Sequence, residues 1–290
     1  MRFIYNGKLP FLHLKTFLRE QGISGTTYKK LKTNKAILVN DKNVTGNILL
    51  ADGDRVSLTL PVETNTLALE HEPIDVLYES SYLLAVEKPA GLLVHPTTEF
   101  FCSSLANRVA AYYERTGQQA GIHPVSRLDK NTSGVVLFAK NAFAHYVLSR
   151  QRMVKEYLAL VWGCPVPLTG RIEAPIARKP GSIIERKVDF TYGVPAVTEY
   201  VVLKNYGEFS LVKFSLLTGR THQIRVHSAY IGHPLIGDNL YGIPGPEGLH
   251  FLHSWHIGLQ EPETCLQRDI YCPLPKMFLE RIRTYEEGAK

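Results

Sequence analysis

Apolar and polar positions along the 290-residue chain repeat at two periods, and the switches between them outline the elements. In "FLHLKTFLREQG", Leu14, Phe17 and Leu18 recur at helical spacing and the run stops at Gly22, which predicts a short helix. "TTYKKLKTNK" predicts a second helix with Lys29, Lys30, Lys32 and Lys35 near its outer face. Two β-like pieces follow, "AILVN", turning at Asp41–Asn43, and "DRVSLTLP". After residue 75, "YLLAVEKPAG", "SGVVLFAK", "KEYLALVWG", "TEYVVLKNY" and "FSLVKFSLLTG" read as strands, the last two as a hairpin. "SSLANRVAAYYERTG" reads as a helix with Ser103 or Ser104 as cap, "NAFAHYVLSRQR" as one capped by Asn141, and "THQIRVHSAYIG" as one capped by Thr221. "PKMFLERIRTYEE" closes the chain. Strands outnumber helices and several neighbours are antiparallel, so the expected class is α+β with a mixed, largely antiparallel sheet.

Charge divides the chain where the pattern does. Residues 1–60 hold ten Lys/Arg and four Asp/Glu, which accounts for the whole net charge of +6 and leaves the remainder neutral. No Lys or Arg occurs between Arg55 and Lys88, while Glu63, Glu70, Glu72 and Asp75 do. This shift predicts a basic module at 1–60, a linker at 61–75 and a large domain at 76–290. A small module with this excess suits a polyanion, because phosphate neutralisation dominates nucleic-acid affinity; Lys29, Lys30, Lys32 and Lys35 are its candidate RNA-binding residues.

Other classes lose support. No stretch approaches the ~20 apolar residues of a membrane span. "MRFIYNGKLP" lacks the apolar core of a signal peptide, so a cytoplasmic location is expected. Cys102, Cys164, Cys265 and Cys272 form neither a C-x-x-C pair nor a disulfide framework. His222 and His227 miss the i, i+4 ligand register, and His250, His253 and His256, three apart on a strand, alternate faces. No metal site is expected.

Two segments carry candidate chemistry. In "HPVSRLDKNTSGVVLFAKN", an extended Arg127-Leu128-Asp129 would put a carboxylate and a guanidinium on one side. Alone, the same residues describe a turn before a buried strand. "LLTGRTHQIRVHSAYIGHPLIGD" gathers Arg220, His222, Arg225, His227, His233 and Asp238. Arg220 is expected at a helix start, where an anion is favoured; that anion is either Asp129, giving one composite site, or a phosphate. Tyr157 in "KEYLALVWG" is either a strand tyrosine or, if it faces Asp129, a base-stacking residue.

Taken together and in order, "EKPAGLLVHP", "SRLDKNTSGVVLFAKN", "KEYLALVWG", "LLTGRTHQIRVHSAYIGHPLIGDNLYG" and "LHSWHI" resemble the RluA-type family of RNA pseudouridine synthases over roughly residues 75–275. The N-terminal module resembles the S-four-like RNA-binding domain of many members. Where many members place His before Arg-Leu-Asp, this chain has Ser126. The resemblance implies a pseudouridine synthase fold and an isomerase that converts uridines of ribosomal or transfer RNA without cofactor or metal, acting without an obligate protein partner and as a monomer. It implies Asp129 as the catalytic carboxylate, Arg220 as its ion-pair partner and Tyr157 against the uracil as a candidate acceptor of the C5 proton. Ile224 would contact the base apolarly, and Arg127 would fill the space left by the extruded uridine. A non-catalytic RNA-binding protein on the same scaffold would have lost Asp129, Tyr157 or Arg220; all are present. A glycosidase would need a second carboxylate beside Asp129, and none stands out.

Overall fold

The computed structural model describes residues 1–7, 11–97, 101–244 and 248–288. The N-terminal module contains β1 (Arg2–Ile4), β2 (Leu12–His13), α1 (Leu14–Glu20), α2 (Gly25–Thr33), β3 (Ile37–Val39), β4 (Lys42–Asn43), β5 (Leu49–Leu50) and β6 (Arg55–Leu58). Leu14, Phe17 and Leu18 of α1, the three positions of its apolar repeat, are buried with Leu31, Ile37 and Val56. Lys29, Lys30 and Lys32 lie exposed on α2. Lys35 does not belong to the helix: it follows the C-cap Asn34 in a left-handed turn, φ 52°. Phe143 from the large domain enters the module's core, with Tyr82 and Val147 packed beside it.

Residues 61–75 form neither strand nor helix, yet side chains pin them down. Glu63 accepts from the Ala142 N–H at 2.8 Å and meets His123, while Glu70 pairs with Arg108 at 3.1 Å. Leu67 and Ile74 pack on the core beneath them. These contacts fasten the stretch to the large domain.

The large domain comprises β7 (Val76–Glu79), β8 (Leu83–Lys88), α3 (Leu105–Arg115), β9 (His123–Pro124), β10 (Ser133–Ala139), α4 (Ala142–Arg150) and β11 (Val154–Trp162). It continues through β12 (Thr169–Glu173), β13 (Ile176–Arg178), β14 (Arg186–Val188), β15 (Val197–Asn205), β16 (Phe209–Leu216), α5 (Gln223–Tyr230), β17 (Leu252–Gln260), β18 (Gln267–Tyr271) and α6 (Lys276–Gly288). Ten strands form one sheet in the order β12-β15-β16-β11-β17-β10-β8-β7, with β18 on β17 and β9 on β10. Its pairings are antiparallel except β10 with β17. β10 is buried at every residue, as its unbroken apolar run predicts. At the parallel seam Gly134 has φ 112°, and a Cβ there would stand 2.2 Å from the Ser254 carbonyl oxygen. The close approach of β17 therefore requires glycine.

Two expected caps are present, Ser104 on α3 and Asn141 on α4. A third is not. α5 starts at Gln223 after His222, whose φ of 58° is left-handed, and Thr221 supplies no cap. Gln223 ties the turn together instead: its Oε1 accepts from the Arg220 N–H at 2.9 Å and the Thr218 hydroxyl at 2.9 Å.

Candidate active site

Between β10, β11 and the start of α5 lies a cleft of about 890 Å³ lined by Asp129, Tyr157, Arg127, Arg220 and Ile224. The residues singled out from separate segments thus share one cavity. Asp129 lies on a loop, not a strand; its carbonyl accepts from the Thr132 N–H at 3.1 Å, closing the turn that launches β10. The stretch thus makes a turn and also presents the Asp129 carboxylate to the cleft.

The loop is held from behind. Thr132 Oγ1 lies 2.9 Å from His250 Nε2, Ser133 Oγ lies 2.9 Å from His253 Nδ1, and Asn131 donates to the Gly248 carbonyl at 2.9 Å. Lys88, fully buried at the end of β8, donates to the carbonyls of Pro89, Leu92 and Lys130 at 2.9, 2.7 and 2.8 Å. Burial draws its pKa down to about 7, with the Asp129 charge opposing the shift. One buried ammonium thus fastens the Pro-Ala-Gly turn to the turn carrying Asp129, because carbonyls so far from water need a donor.

The expected Arg220–Asp129 pair does not form. Arg220 precedes α5 by three residues, is exposed, and turns its Nε to the Pro195 carbonyl at 3.1 Å. The guanidinium at Asp129 belongs to Arg225, on the first turn of α5, where it is buried. Its Nη1 donates to Asp129 Oδ2 at 3.3 Å, while Nε and Nη2 grip the two oxygens of buried Asp238 at 2.7 Å each. The ring of Tyr241 lies 5.1 Å below it. Asp238 loses hydration by burial, which raises its pKa, but hydrogen bonds and charge from Arg225 outweigh that and hold it below the usual carboxylate range. The fork leaves one guanidinium edge free for Asp129, so the reach of Arg225 is set by Asp238.

His222 is the third neighbour. Its Nε2 stands 3.7 Å from Asp129 Oδ2 and its Nδ1 is 2.8 Å from the Tyr241 hydroxyl. Burial lowers its pKa, more than the Asp129 charge raises it. Tyr157 on β11 is buried; burial pushes its phenol up to about 12, and the Asp129 charge adds to the shift. Ile224 is buried beside it.

Six basic side chains line the cleft, Arg127, Lys130, Lys155, Arg186, Arg220 and Arg225, against the single carboxylate of Asp129. Burial lowers the pKa of Lys155, which has no ion pair among the described residues. The large domain, with 23 Lys/Arg against 19 Asp/Glu over residues 76–290, therefore concentrates positive charge around one carboxylate, as a polyanionic ligand demands. Among the described residues no cluster of His, Cys, Asp or Glu suits a metal ion, and no helix is long and apolar enough to cross a membrane.

Arg225 and Asp238 stand in the same polar segment as Arg220, and the segment alone assigns them no role. α5 is buried at every residue from Gln223 to Ser228, so Arg225 is taken out of water with Ile224 and then needs an acid.

The sequence profile of the RNA pseudouridylate synthase family matches residues 82–230. A Bacillus subtilis protein described as the uncharacterized RNA pseudouridine synthase YjbO is 39% identical over 278 residues, covering 93% of this chain and 98% of the relative. The ribosomal large subunit pseudouridine synthase D of Neisseria meningitidis serogroup B is 36% identical over 260 residues, covering 83% of this chain and 69% of its own. The structure of human RNA pseudouridylate synthase domain containing 4 superposes with a TM-score of 0.61 over 73% of this chain and 93% of that one, at 23% identity, which speaks for the fold.

Proposed function

The chain belongs to the RNA pseudouridylate synthase family, and on that premise we propose that it isomerises specific uridines of structured RNA with Asp129 as the reacting carboxylate. The reaction breaks the bond from ribose C1′ to uracil N1, turns the base and rejoins it through C5. The proton lost at C5 is matched by one gained at N1, so atoms and electrons balance within the nucleotide and only a positioned carboxylate is demanded. The observation that carries this reading is the Asp238–Arg225–Asp129 chain, buried at Asp238 and Arg225 and open to a basic cleft at Asp129. Arg225 orients Asp129 and supplies positive charge where the substrate excludes water.

Tyr157 and Ile224 form the apolar contact for the uracil. A phenol held near 12 stays neutral at working pH, which favours packing and hydrogen bonding for Tyr157 over removal of the C5 proton. The uridine must leave its stack to enter, at a cost of a few kcal/mol. Arg127, exposed at the cleft edge, would fill the vacated space with its planar guanidinium. Arg220 and Lys155 are read as phosphate contacts.

The N-terminal module is read as S-four-like and as a second RNA contact through Lys29, Lys30, Lys32 and Lys35. Ribosomal RNA is the favoured substrate ahead of transfer RNA, supported by the likeness to a ribosomal large subunit enzyme. The protein is taken to act in the cytoplasm as a monomer. The test is mass-spectrometric quantification of pseudouridine in ribosomal and transfer RNA treated with wild type or Asp129→Asn. Pseudouridine from wild type alone is expected. Equal amounts from both would refute the role of Asp129, and RNA binding without product from either would favour a non-catalytic binder.

A further inference from the structure

Outside the cleft, the turn after the β13–β14 hairpin exposes two large aromatic side chains. Phe190 is 69% exposed and Tyr192 82% exposed, on one short turn. That turn is built, not slack. Asp189 Oδ1 accepts from the N–H groups of Thr191 and Tyr192 at 3.0 Å each, and its carbonyl accepts from the Gly193 N–H at 2.9 Å. A Cβ on Gly193 would stand 2.3 Å from that same oxygen. The base of the hairpin is equally fixed: Ile176, Val188 and Tyr241 pack with Val226 of α5. Two large aromatic rings are therefore held out in water by a rigid frame, which raises the question of what covers them.

Three observations point to nucleic acid. The hairpin continues into the cleft: Arg186 lines it and donates its backbone N–H to the Tyr241 hydroxyl at 2.8 Å, the atom that also meets His222. Basic residues lie on the same hairpin: Arg178 is exposed with no ion pair among the described residues, and Lys187 is exposed and pairs with Asp189 at 3.0 Å. Phe190 also lies 6.5 Å, centroid to centroid, from Tyr230, which is 53% exposed at the far end of α5. Tyr230 ends the helix whose first turn carries Arg225, so the exposed rings and the cleft share one element.

We propose that Phe190, Tyr192 and Tyr230 form a preorganised stacking platform for unpaired nucleotides of the substrate RNA that flank the target uridine. The inference rests on the reading of the cleft as the site for an extruded uridine. Aromatic faces take any base, so the platform selects unpaired over paired RNA and leaves base identity to other contacts. Because Asp189 and Gly193 already order the turn, little conformational freedom is lost when a base lands.

The test uses the full chain and two probes: an RNA stem closed by an all-uridine loop, and a fully paired duplex of the same length. Affinities are measured by fluorescence anisotropy at one salt concentration. At ~1–3 kcal/mol per stacked base, the Phe190→Ala/Tyr192→Ala double variant should bind the loop probe about 30-fold more weakly or worse. It should bind the duplex within about twofold of wild type, and Asp189→Ala should show a smaller loss on the loop probe only. Unchanged loop affinity overturns the platform. So does an equal loss on both probes, or a wild-type dimer in sedimentation that the double variant abolishes, since a second copy would then cover the rings. If wild type makes pseudouridine but the variants bind as it does, the platform alone fails; if loop binding behaves as expected but wild type makes none, the enzymatic reading alone fails.

Discussion

Exchanging the two arginines of the Thr-Gly-Arg-Thr-His-Gln-Ile-Arg stretch for lysine, one at a time, tests whether Arg225 rather than Arg220 serves Asp129. Arg225 spans two carboxylates, with 2.7 Å contacts to both oxygens of Asp238 and one of 3.3 Å to Asp129. A lysine ammonium is a point charge and cannot hold that fork and reach Asp129 together. A charge-assisted hydrogen bond contributes about 1.5–3 kcal/mol. Losing one arm of the fork should lower stability by about 2 kcal/mol, or about 4–8 °C in Tm for a domain of this size. Losing the arm to Asp129 should remove about 2–3 kcal/mol of transition-state stabilisation, about 30- to 150-fold in kcat. Arg220→Lys keeps the charge at an exposed site and breaks only the hydrogen bond to the Pro195 carbonyl, so kcat should stay within about threefold. The assay is single-turnover pseudouridine formation at saturating enzyme, with thermal unfolding in parallel. If Arg225→Lys retains wild-type kcat, or Arg220→Lys loses as much, the pairing has no part in the chemistry.

Two further outcomes follow from the geometry around the cleft. Burial holds His250 down at about 4, against an ordinary value of 6.5, so it is neutral where it meets Thr132. The unfolded chain takes up this proton first as pH falls. Stability should therefore decline by about 3 kcal/mol from pH 6.5 toward 4, and His250→Asn should flatten that decline in denaturant melts; equal slopes would exclude His250 as the cause. For the N-terminal module, point changes are preferable to deletion, because removing residues 1–60 would uncover Phe143. Replacing Lys29, Lys30, Lys32 and Lys35 by alanine should reduce the salt slope of RNA binding by about 0.9 for each lysine that touches a phosphate, and an unaltered slope would remove these residues from the interface.

Local rules made much of the fold legible. Asn141 and Ser104 cap their helices because a side-chain oxygen can reach a free N–H within the same turn. The apolar run at 133–139 became a strand buried on both faces. The helix entry at 220–223 was misread because its closing interaction, Gln223 with Arg220 and Thr218, requires a left-handed His222 that no periodicity announces.

The candidate site divides along the same line. By itself the sequence determined which segments carry polar chemistry inside apolar surroundings, and Asp129, Tyr157, Ile224, Arg127 and Arg220 do share one cleft. It also located a basic excess in the first 60 residues, but not the ring of cations in the neutral remainder, since charge balance along a chain says nothing of direction in space. Only the tertiary structure decided that Asp129 faces Arg225. Both arginines carry the same charge, five residues apart, and helix-start electrostatics favoured the nearer one. What separates them is burial: Arg225 is buried on α5, where a guanidinium must find carboxylates, and it finds Asp238 13 residues further along and Asp129 96 residues back.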